Sequence, residues 1–380
     1  MHSKQTKKWA REATFRKNRS RILINKLIPK TRKIINKSDM ERVCQFFRNN
    51  YVLANCEDAI FKKAFSLNLS HYQMSEVPDI IEQCETLMKL FLNQNKLTKI
   101  PSSIGSLLRL QVLTLDYNKL DEFPLCICRL VRLKFLNISC NSISYLPPEI
   151  GYLTLLETFW CNNTGLKELP AEIRNFERLE TLGVRGNPLK KLTEAIGALT
   201  SLRWFTAEGC ELTEVPLTMA LLENLVHLNL KGNRLKRLPR MLMAMQKLRF
   251  VFLNENRIDE LPTRSQLEEL STLHMLNLSK NPISLHQELQ LMALRQNNLY
   301  VELPANPVEA CDGLASRASM NTQEQQEDQA RGPGQDVDSS DWANSVRTSE
   351  LDTTDESTME TNIEDLSVML PEMSRFVTTF

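Results

Sequence analysis

The chain of 380 residues lacks the features that mark a secreted or membrane-spanning protein. No apolar run approaches the roughly 20 residues needed to cross a bilayer. The first eight residues are basic, and no apolar stretch of a secretory leader follows them. The nine cysteines are an odd number and form no terminal clusters, which is typical of a reducing compartment. We therefore expect a cytoplasmic protein.

Catalytic and metal-binding patterns are also absent. The sequence has no P-loop, GxGxxG, HExxH or GxSxG motif, and its five histidines make no ligand spacing. Cys126 and Cys128 are the one close cysteine pair, whereas zinc usually takes four ligands. No nucleophile, base and orienting group can be assembled from the other residues. The sequence predicts no enzymatic activity, no cofactor and no metal.

The net charge of +1 hides a strong asymmetry along the chain. Residues 1–50 carry 15 Lys or Arg against 3 Asp or Glu, whereas residues 301–380 carry 4 against 17. The part between them is close to neutral. Opposite charges at the two ends indicate interaction tails on a folded centre.

A 23-residue repeat occupies that centre. Residues 90–104 (LFLNQNKLTKIPSSI) follow the same pattern as residues 113–127 (LTLDYNKLDEFPLCI). The position of Asn95 recurs every 23 residues from 72 to 256, and a last copy follows at 281 after a step of 25. We place the extra residues between 263 and 270. Thr164 and Cys210 substitute for the asparagine only weakly, so we expect looser packing there.

The unit LxxLxLxxNxLxxLPxxIxxLxx predicts a local structure for each of its parts. Leu-x-Leu is a short strand whose alternate side chains point inward. The asparagine turns the chain, the proline ends the strand segment, and the following Ile and Leu suit a short helix or 3₁₀ turn. One coil cannot bury its own apolar face, whereas about ten stacked coils share a core. The predicted fold is an α/β solenoid, a horseshoe with a parallel sheet on its concave side.

Residues 64–288 resemble the leucine-rich repeats of the Ras group of intracellular proteins. The resemblance rests on the LP-x-x-I-x-x-L half of the unit, as in residues 146–153 (LPPEIGYL). It implies a cytosolic scaffold or adaptor, often in small-GTPase, phosphatase or polarity signalling. The kinase, GTPase and PDZ domains of the multidomain members have no counterpart in the tails.

Both ends of such an array need caps. Ser38 and Glu41 fit a capping box, so residues 38–63 are predicted to form a helical cap. The apolar face expected to close the first repeat is Val43, Phe46, Phe47, Val52 and Leu53. Residues 285–299 have helical periodicity, and we assign 289–303 to a C-terminal cap. Residues 1–37 are a basic extension, and the acidic residues 304–380 are expected to be disordered.

The positions of each strand that are not leucine face the concave side, where apolar side chains gain nothing from the core. Large apolar patches on such a surface usually mark an interface, and Trp and Arg are enriched at binding hot spots. The predicted partner-binding residues are Phe91, Tyr117, Phe135, Trp160, Arg185, Trp204, Glu208, His227, Lys231, Phe250 and Phe252. Two alternatives stay open: the charges pair with one another as a solvated row, and the aromatic rings pack on one another. Because both signs of charge are mixed, a protein partner is favoured over nucleic acid.

The two tails carry separate motifs. Bipartite spacing resembling a nuclear-localisation signal is formed by Lys7, Lys8, Arg11, Arg16, Lys17, Arg19 and Arg21. This arm could equally bind nucleic acid or an anionic membrane, or be a solvated extension, and a nuclear location is the alternative to the cytoplasm. At the other end, Thr378 and Phe380 fit the pattern of a PDZ-domain ligand.

The sequence thus predicts a monomeric, non-enzymatic scaffold or adaptor that binds a protein on its concave face. Two other functions stay open. One is a regulatory or targeting subunit of an enzyme in a phosphatase or small-GTPase pathway, although residues 42–46 have one residue too many for the phosphatase-docking pattern. The other is a structural component of a cytoskeletal or ciliary assembly.

Overall fold

A computed structural model describes residues 37–284, 286–287, 291 and 300–302, which all belong to one compact unit. Helix α1 spans Lys37–Lys62, and the short helix α2 spans Arg264–Glu268. The strands are β1 (Ser66–Asn68), β2 (Lys89–Phe91), β3 (Val112–Thr114), β4 (Phe135–Asn137), β5 (Thr158–Trp160), β6 (Thr181–Gly183), β7 (Trp204–Thr206), β8 (His227–Asn229), β9 (Phe250–Phe252), β10 (Met275–Asn277) and β11 (Tyr300–Glu302). The basic arm and the acidic tail with its PDZ-type end lie outside the described residues.

The eleven strands form one parallel sheet in chain order. From β1 to β9 each residue pairs with the residue 23 positions later, as Leu90 does with Leu113. The last two steps are 25 residues long, so Val251 pairs with Leu276 and Leu276 with Val301. The leucine-rich-repeat solenoid predicted from the sequence is confirmed, and β11 extends its sheet beyond the ten predicted repeats.

Short 3₁₀ helices follow the strands on the far side of the core. They span Asp79–Gln83, Ser102–Ser106, Leu125–Arg129, Pro148–Tyr152, Ala171–Asn175, Glu194–Ala198, Leu217–Leu221, Arg240–Ala244 and Glu269–Thr272. Of the first eight, all but one follow a proline whose φ lies between −72° and −61°. At the exception, Thr193 has φ −67° and its hydroxyl accepts the N–H of Ala195. Helix α2 occupies the predicted insertion after Thr263.

The core lies between the sheet and the 3₁₀ helices, and its leucines are fully buried. Each such side chain contributes roughly 1.5–3 kcal/mol of hydrophobic stabilisation. The repeat asparagines add bonds between coils. Asn118 donates to the carbonyls of Leu92 (3.0 Å) and Leu115 (2.9 Å) and accepts the N–H of Leu97 (3.1 Å). Each asparagine thereby ties its own coil to the preceding one.

The prediction of looser packing at Thr164 and Cys210 is wrong. Their exposed fractions are 2% and 0%. Asn187, in the next coil, accepts both the N–H and the hydroxyl of Thr164 at 3.0 Å. In the same way Asn233 accepts the N–H of Cys210 at 3.0 Å. Thr164 and Cys210 also keep part of the asparagine pattern, because each donates to a carbonyl at 3.1 Å, Thr164 to Cys161 and Cys210 to Val184. The asparagine of the following coil adds bonds to the N–H groups of their turns.

Helix α1 covers the first coil, and of the residues predicted to close the first repeat Val52 is confirmed, whereas Val43, Phe46 and Leu53 are not. Val52, Cys56 and Ala59 pack into the core, and the ring of Tyr51 lies 5.5 Å from that of Tyr72. In contrast, 39% of Val43, 64% of Phe46 and 38% of Leu53 remain exposed. Positions 52, 56 and 59 share one helical face, whereas 43, 46 and 53 share another that points away from the repeats. Among the described helices none has the length and hydropathy needed to cross a membrane.

The far end of the array is described in part. Within the predicted C-terminal helix, His286, Gln287 and Leu291 are helical, and Leu291 is fully buried. Strand β11 then adds one more parallel strand to β10, with Leu276 paired to Val301.

Candidate functional site

Three rows of side chains cover the concave side of the sheet. The start row holds the first residue of each strand and the end row holds the last, because these two flank a buried middle residue such as Phe205. Two residues beyond each strand lies the turn row. Its members are Ser70, Asn93, Asp116, Ser139, Asn162, Arg185, Glu208, Lys231, Asn254 and Ser279. All the predicted partner-binding residues except Tyr117 belong to these three rows.

The next residue along each coil turns the chain out of the sheet. It has a positive φ in each of the ten coils, as at Tyr117 (53°) and Cys140 (55°), and glycine occupies it at Gly186, Gly209 and Gly232. Tyr117 is 40% exposed and so borders the concave surface. A left-handed backbone costs a non-glycine residue roughly 1 kcal/mol or more. In seven of the ten coils the next residue is an asparagine, whose hydrogen bonds hold this turn in place.

The aromatic residues of the predicted site are much less exposed than the sequence suggested. The exposed fraction is 6% for Phe91, 8% for Phe135, 7% for Trp160 and 7% for His227. Trp204, Phe250 and Phe252 are half-buried. The reason is the spacing of parallel strands, about 4.8 Å, which allows a large ring to lie over its neighbour. The alternative in which the rings pack on one another holds for Trp204, His227 and Phe252.

Trp160 lies across Gly183 on the adjacent strand. A Cβ added to Gly183 would overlap the six-membered ring of Trp160 and lie 3.0 Å from Oδ1 of Asn162. Because Gly183 has no side chain, the Trp160 indole occupies the space that a Cβ would fill. The indole Nε1 is buried without a hydrogen-bond partner among the described residues.

Trp204, His227 and Phe252 form an aromatic platform at the centre of the sheet. The Trp204 and His227 rings are parallel within 4° and their centroids lie 3.5 Å apart, while Phe252 lies 5.1 Å from His227. Burial lowers the pKa of His227 to about 3, so the imidazole is neutral at physiological pH. At the platform's edge Phe250 meets the exposed His274 edge-on at 6.1 Å. Neither Gly183 nor His274 was among the predicted partner-binding residues.

The charged residues of the turn row form a ladder. Glu208 Oε2 lies 3.6 Å from Arg185 Nε, and its Oε1 lies 3.7 Å from Lys231 Nζ. Asn229 also donates to Glu208 at 3.3 Å. The predicted pairing is present, but the row is not solvated, because only 10% of the Glu208 side chain is exposed. Two cations around one buried carboxylate leave the ladder with an excess positive charge.

Asp116 is the other acid of the turn row, and it was not among the predicted binding residues. It is 8% exposed, and its neighbours in that row, Asn93 and Ser139, are neutral. Burial raises the pKa of Asp116 to about 7, although a hydrogen bond from its own backbone N–H opposes the shift. The sequence alone indicates these neutral neighbours, because residues 23 positions apart lie side by side on adjacent coils.

The thiols of the described residues show no sign of reactivity. All eight cysteines among them are free, and burial raises the pKa of Cys56, Cys128 and Cys210 to about 12. Such thiols stay protonated and are poor nucleophiles. Cys126 and Cys128 lie together on the 3₁₀ helix Leu125–Arg129. Within the described part of the chain no three His, Cys, Asp or Glu residues are placed to hold a metal ion.

Alanine at position 183 is expected to destabilise the fold by roughly 2–4 kcal/mol, because the new methyl group displaces the Trp160 indole. Urea unfolding measures the loss, and a red shift of tryptophan emission reports the displaced ring. Gly209→Ala is the matched control, because its φ of 63° imposes only backbone strain and nothing lies within 4 Å of the added Cβ. Unchanged stability and tryptophan emission in Gly183→Ala would contradict the packing of the Trp160 ring against Gly183.

Comparison with known proteins supports the repeat assignment. A sequence profile of leucine-rich-repeat regions matches residues 124–203, and a leucine-rich-repeat profile matches residues 85–143. No curated protein sequence matches the chain. A leucine-rich-repeat protein of Leptospira interrogans has 30% identity and a TM-score of 0.54, with 66% of this chain and 71% of that chain covered.

Two receptor structures are similar over a smaller share of their length. A TDR receptor has 28% identity and a TM-score of 0.56, covering 67% of this chain and 45% of that chain. The Arabidopsis receptor kinase HAESA, in complex with the peptide hormone IDA and the co-receptor SERK1, has 26% identity and a TM-score of 0.50, covering 57% and 38%. The chain therefore spans less than half of either receptor. The profiles and the Leptospira relative show that this chain belongs to the leucine-rich-repeat protein family.

Proposed function

We propose that this chain is a non-enzymatic scaffold or adaptor that binds a protein partner on the concave side of its sheet. The observation that carries the proposal is the aromatic platform of Trp204, His227 and Phe252, which shares the concave face with the ladder of Arg185, Glu208 and Lys231. Its rings are fixed by stacking, so a partner that packs on them orders few additional side chains. Tryptophan and arginine, both present on this face, are enriched at binding hot spots.

The comparison with the receptors supports the same view. The structure of HAESA holds a peptide hormone and a co-receptor, and it is similar to this chain over 57% of the chain. A protein partner also agrees with the charges of the turn row, which contains the acids Asp116 and Glu208 as well as the cations Arg185 and Lys231. A surface that binds nucleic acid is instead expected to be uniformly basic, because it neutralises phosphate groups.

The cellular setting is inferred from the sequence. The LP-x-x-I halves of the repeats, as at 146–150, resemble those of the Ras-group repeats. We infer a cytoplasmic signalling role, with nuclear entry through the arm formed by residues 7–21 as the alternative. The PDZ-type end at Thr378 and Phe380 would provide a second attachment point.

The double variant Trp204→Ala/Phe252→Ala should lose the concave-face partner. Truncating two hot-spot rings is expected to weaken binding by roughly 30-fold or more, since even one such truncation typically costs about 2 kcal/mol. Affinity enrichment of the full chain from cells that express it, with quantitative mass spectrometry, measures the loss. Trp160 is left unchanged, because it is seated on Gly183 and its removal would open a cavity.

The matched control removes equally apolar side chains from the convex side. Tyr152→Ala/Leu217→Ala alters residues that are 63% and 69% exposed on 3₁₀ helices. Both double variants are first checked for folding by circular dichroism. The proposal predicts proteins that are lost with the concave variant and retained with the convex one. If every recovered protein behaves identically with the two variants, the concave face is not the binding surface.

A further inference from the structure

Among the ionisable residues of the turn row, Asp116 is the one whose side chain has no partner from another residue in the described part of the chain. Asn93 Oδ1 accepts the hydroxyl of Thr114 at 3.1 Å, and Asn162 Oδ1 accepts the backbone N–H of Arg185 at 2.8 Å. Glu208 lies between two cations. Among the described residues, the Asp116 carboxylate receives one hydrogen bond, from its own backbone N–H, and no ion pair.

The environment of Asp116 makes this arrangement costly. The residue is 8% exposed, and the neutral Asn93 and Ser139 lie on either side of it in the turn row. Burying a carboxylate without a counter-ion is unfavourable, and asparagine fits the same position two coils away at residue 162. A residue that costs stability where a neutral one would fit is expected at a functional position.

We propose that Asp116 receives a lysine or arginine side chain of the protein segment that binds the concave face. This inference rests on the proposed function and adds the chemistry of the partner. A partner cation supplies the missing charge and donors in a site where water is already largely excluded, which strengthens an ion pair. A metal ion is a poor occupant, because no group of three acidic, cysteine or histidine residues surrounds any point of the described structure.

The positions of Asp116 and the charge ladder predict how charges are arranged along the partner segment. Asp116 follows β3 and Arg185 follows β6, so the two are three strand spacings apart, or about 14 Å. The ladder of Arg185, Glu208 and Lys231 has one cation in excess. A complementary segment therefore carries a basic residue over Asp116 and an acidic one near the ladder. That distance is spanned by about nine residues of helix or about four of extended chain.

A peptide selection tests the inference and does not require the natural partner. A displayed library of random 16-residue peptides is selected on the purified full chain, and Kd is measured for the selected peptides. Binders of the concave face are those that Trp204→Ala/Phe252→Ala weakens. Against these, Asp116→Asn should weaken binding at least about tenfold, whereas Asp121→Asn, an exposed acid in the same coil, should have no effect.

The charge-exchange experiment identifies the contact itself. Replacing the peptide's critical Lys or Arg with Gln should cost the same factor, and this cost should vanish with Asp116→Asn. Asp116→Lys should reject the original peptide and accept a version in which that residue is Glu. Circular dichroism confirms that each variant is folded.

The possible failures are distinguishable. If the concave-face peptides bind the Asp116→Asn variant with unchanged Kd, or if they contain no basic residue, the inference is wrong and the proposed function is unaffected. A selection that yields no concave-face binder overturns both.

Discussion

Alanine in place of Asn187 is expected to lower the free energy of unfolding by roughly 3–5 kcal/mol. Asn187 is fully buried and donates to the carbonyls of Cys161 (2.8 Å) and Val184 (2.7 Å). Its Oδ1 accepts the N–H groups of Thr164, Gly165 and Leu166 at 2.9–3.0 Å, and the hydroxyl of Thr164 as well. Alanine would leave these groups buried without partners, which costs more than the hydrogen bonds are worth in net terms.

The matched control is Asn118→Ala in a coil whose predecessor has its own asparagine. Asn118 donates to three carbonyls but accepts only the N–H of Leu97, so its loss is expected to cost about 2 kcal/mol. Urea unfolding followed by circular dichroism gives both values under the same conditions. Equal losses at the two positions would refute the view that Asn187 compensates for Thr164.

Asparagine in place of Asp116 is expected to raise the free energy of unfolding above pH 7 by up to about 4 kcal/mol. Burial raises the pKa of Asp116 from 3.8 to about 7. Between these values the folded chain retains a proton that the unfolded chain has released, so stability falls as the pH rises through this window. Below pH 4 both states are protonated, and the variant should gain little.

Unfolding of both proteins in urea at pH 4, 6 and 8 measures this dependence. His227 contributes the opposite slope, because burial lowers its pKa from 6.5 to about 3 and stability is lost as the pH falls below about 6.5. Both proteins retain His227, so their difference isolates Asp116. If the difference in free energy of unfolding between the two proteins does not change with pH, the pKa of Asp116 is not raised in the folded chain. If Asp116→Asn is more stable but binds the selected peptides more weakly, the loss of binding cannot result from unfolding.

The fold could be predicted from the sequence because it depends on residues that repeat. The asparagine and proline positions gave the coil length, the strand and the 3₁₀ turn, and the step of 25 located α2. The exposed face of α1 was assigned wrongly, since Val43, Phe46 and Leu53 are as apolar as Val52. Hydrophobicity alone does not distinguish the two faces of a capping helix.

The concave site could be predicted in its position but not in its packing. Sequence placed Trp160 and Trp204 on the concave side, yet their burial depends on lateral pairs: Trp160 with Gly183, and Trp204 with His227. Reading each row in steps of 23 residues would have identified both pairs, together with the missing counter-ion of Asp116. The ring geometries and the depth of Glu208 required coordinates, because they depend on side-chain conformation.

The constant 23-residue register also determines how the length of such a chain can change. Asn118 contacts Leu97 and Leu92 in the same way as Asn141 contacts Leu120 and Leu115, so the surfaces between these coils are interchangeable. Removing residues 119–141 would join Asn118 to Ser142, and every later residue would keep its role. Removing one residue fewer would leave a coil of 24 residues, and the extra residue would have to be accommodated outside the strand, as α2 accommodates the extra residues of the 25-residue step between β9 and β10. Whole coils are therefore the units by which this protein can grow or shrink while keeping its core.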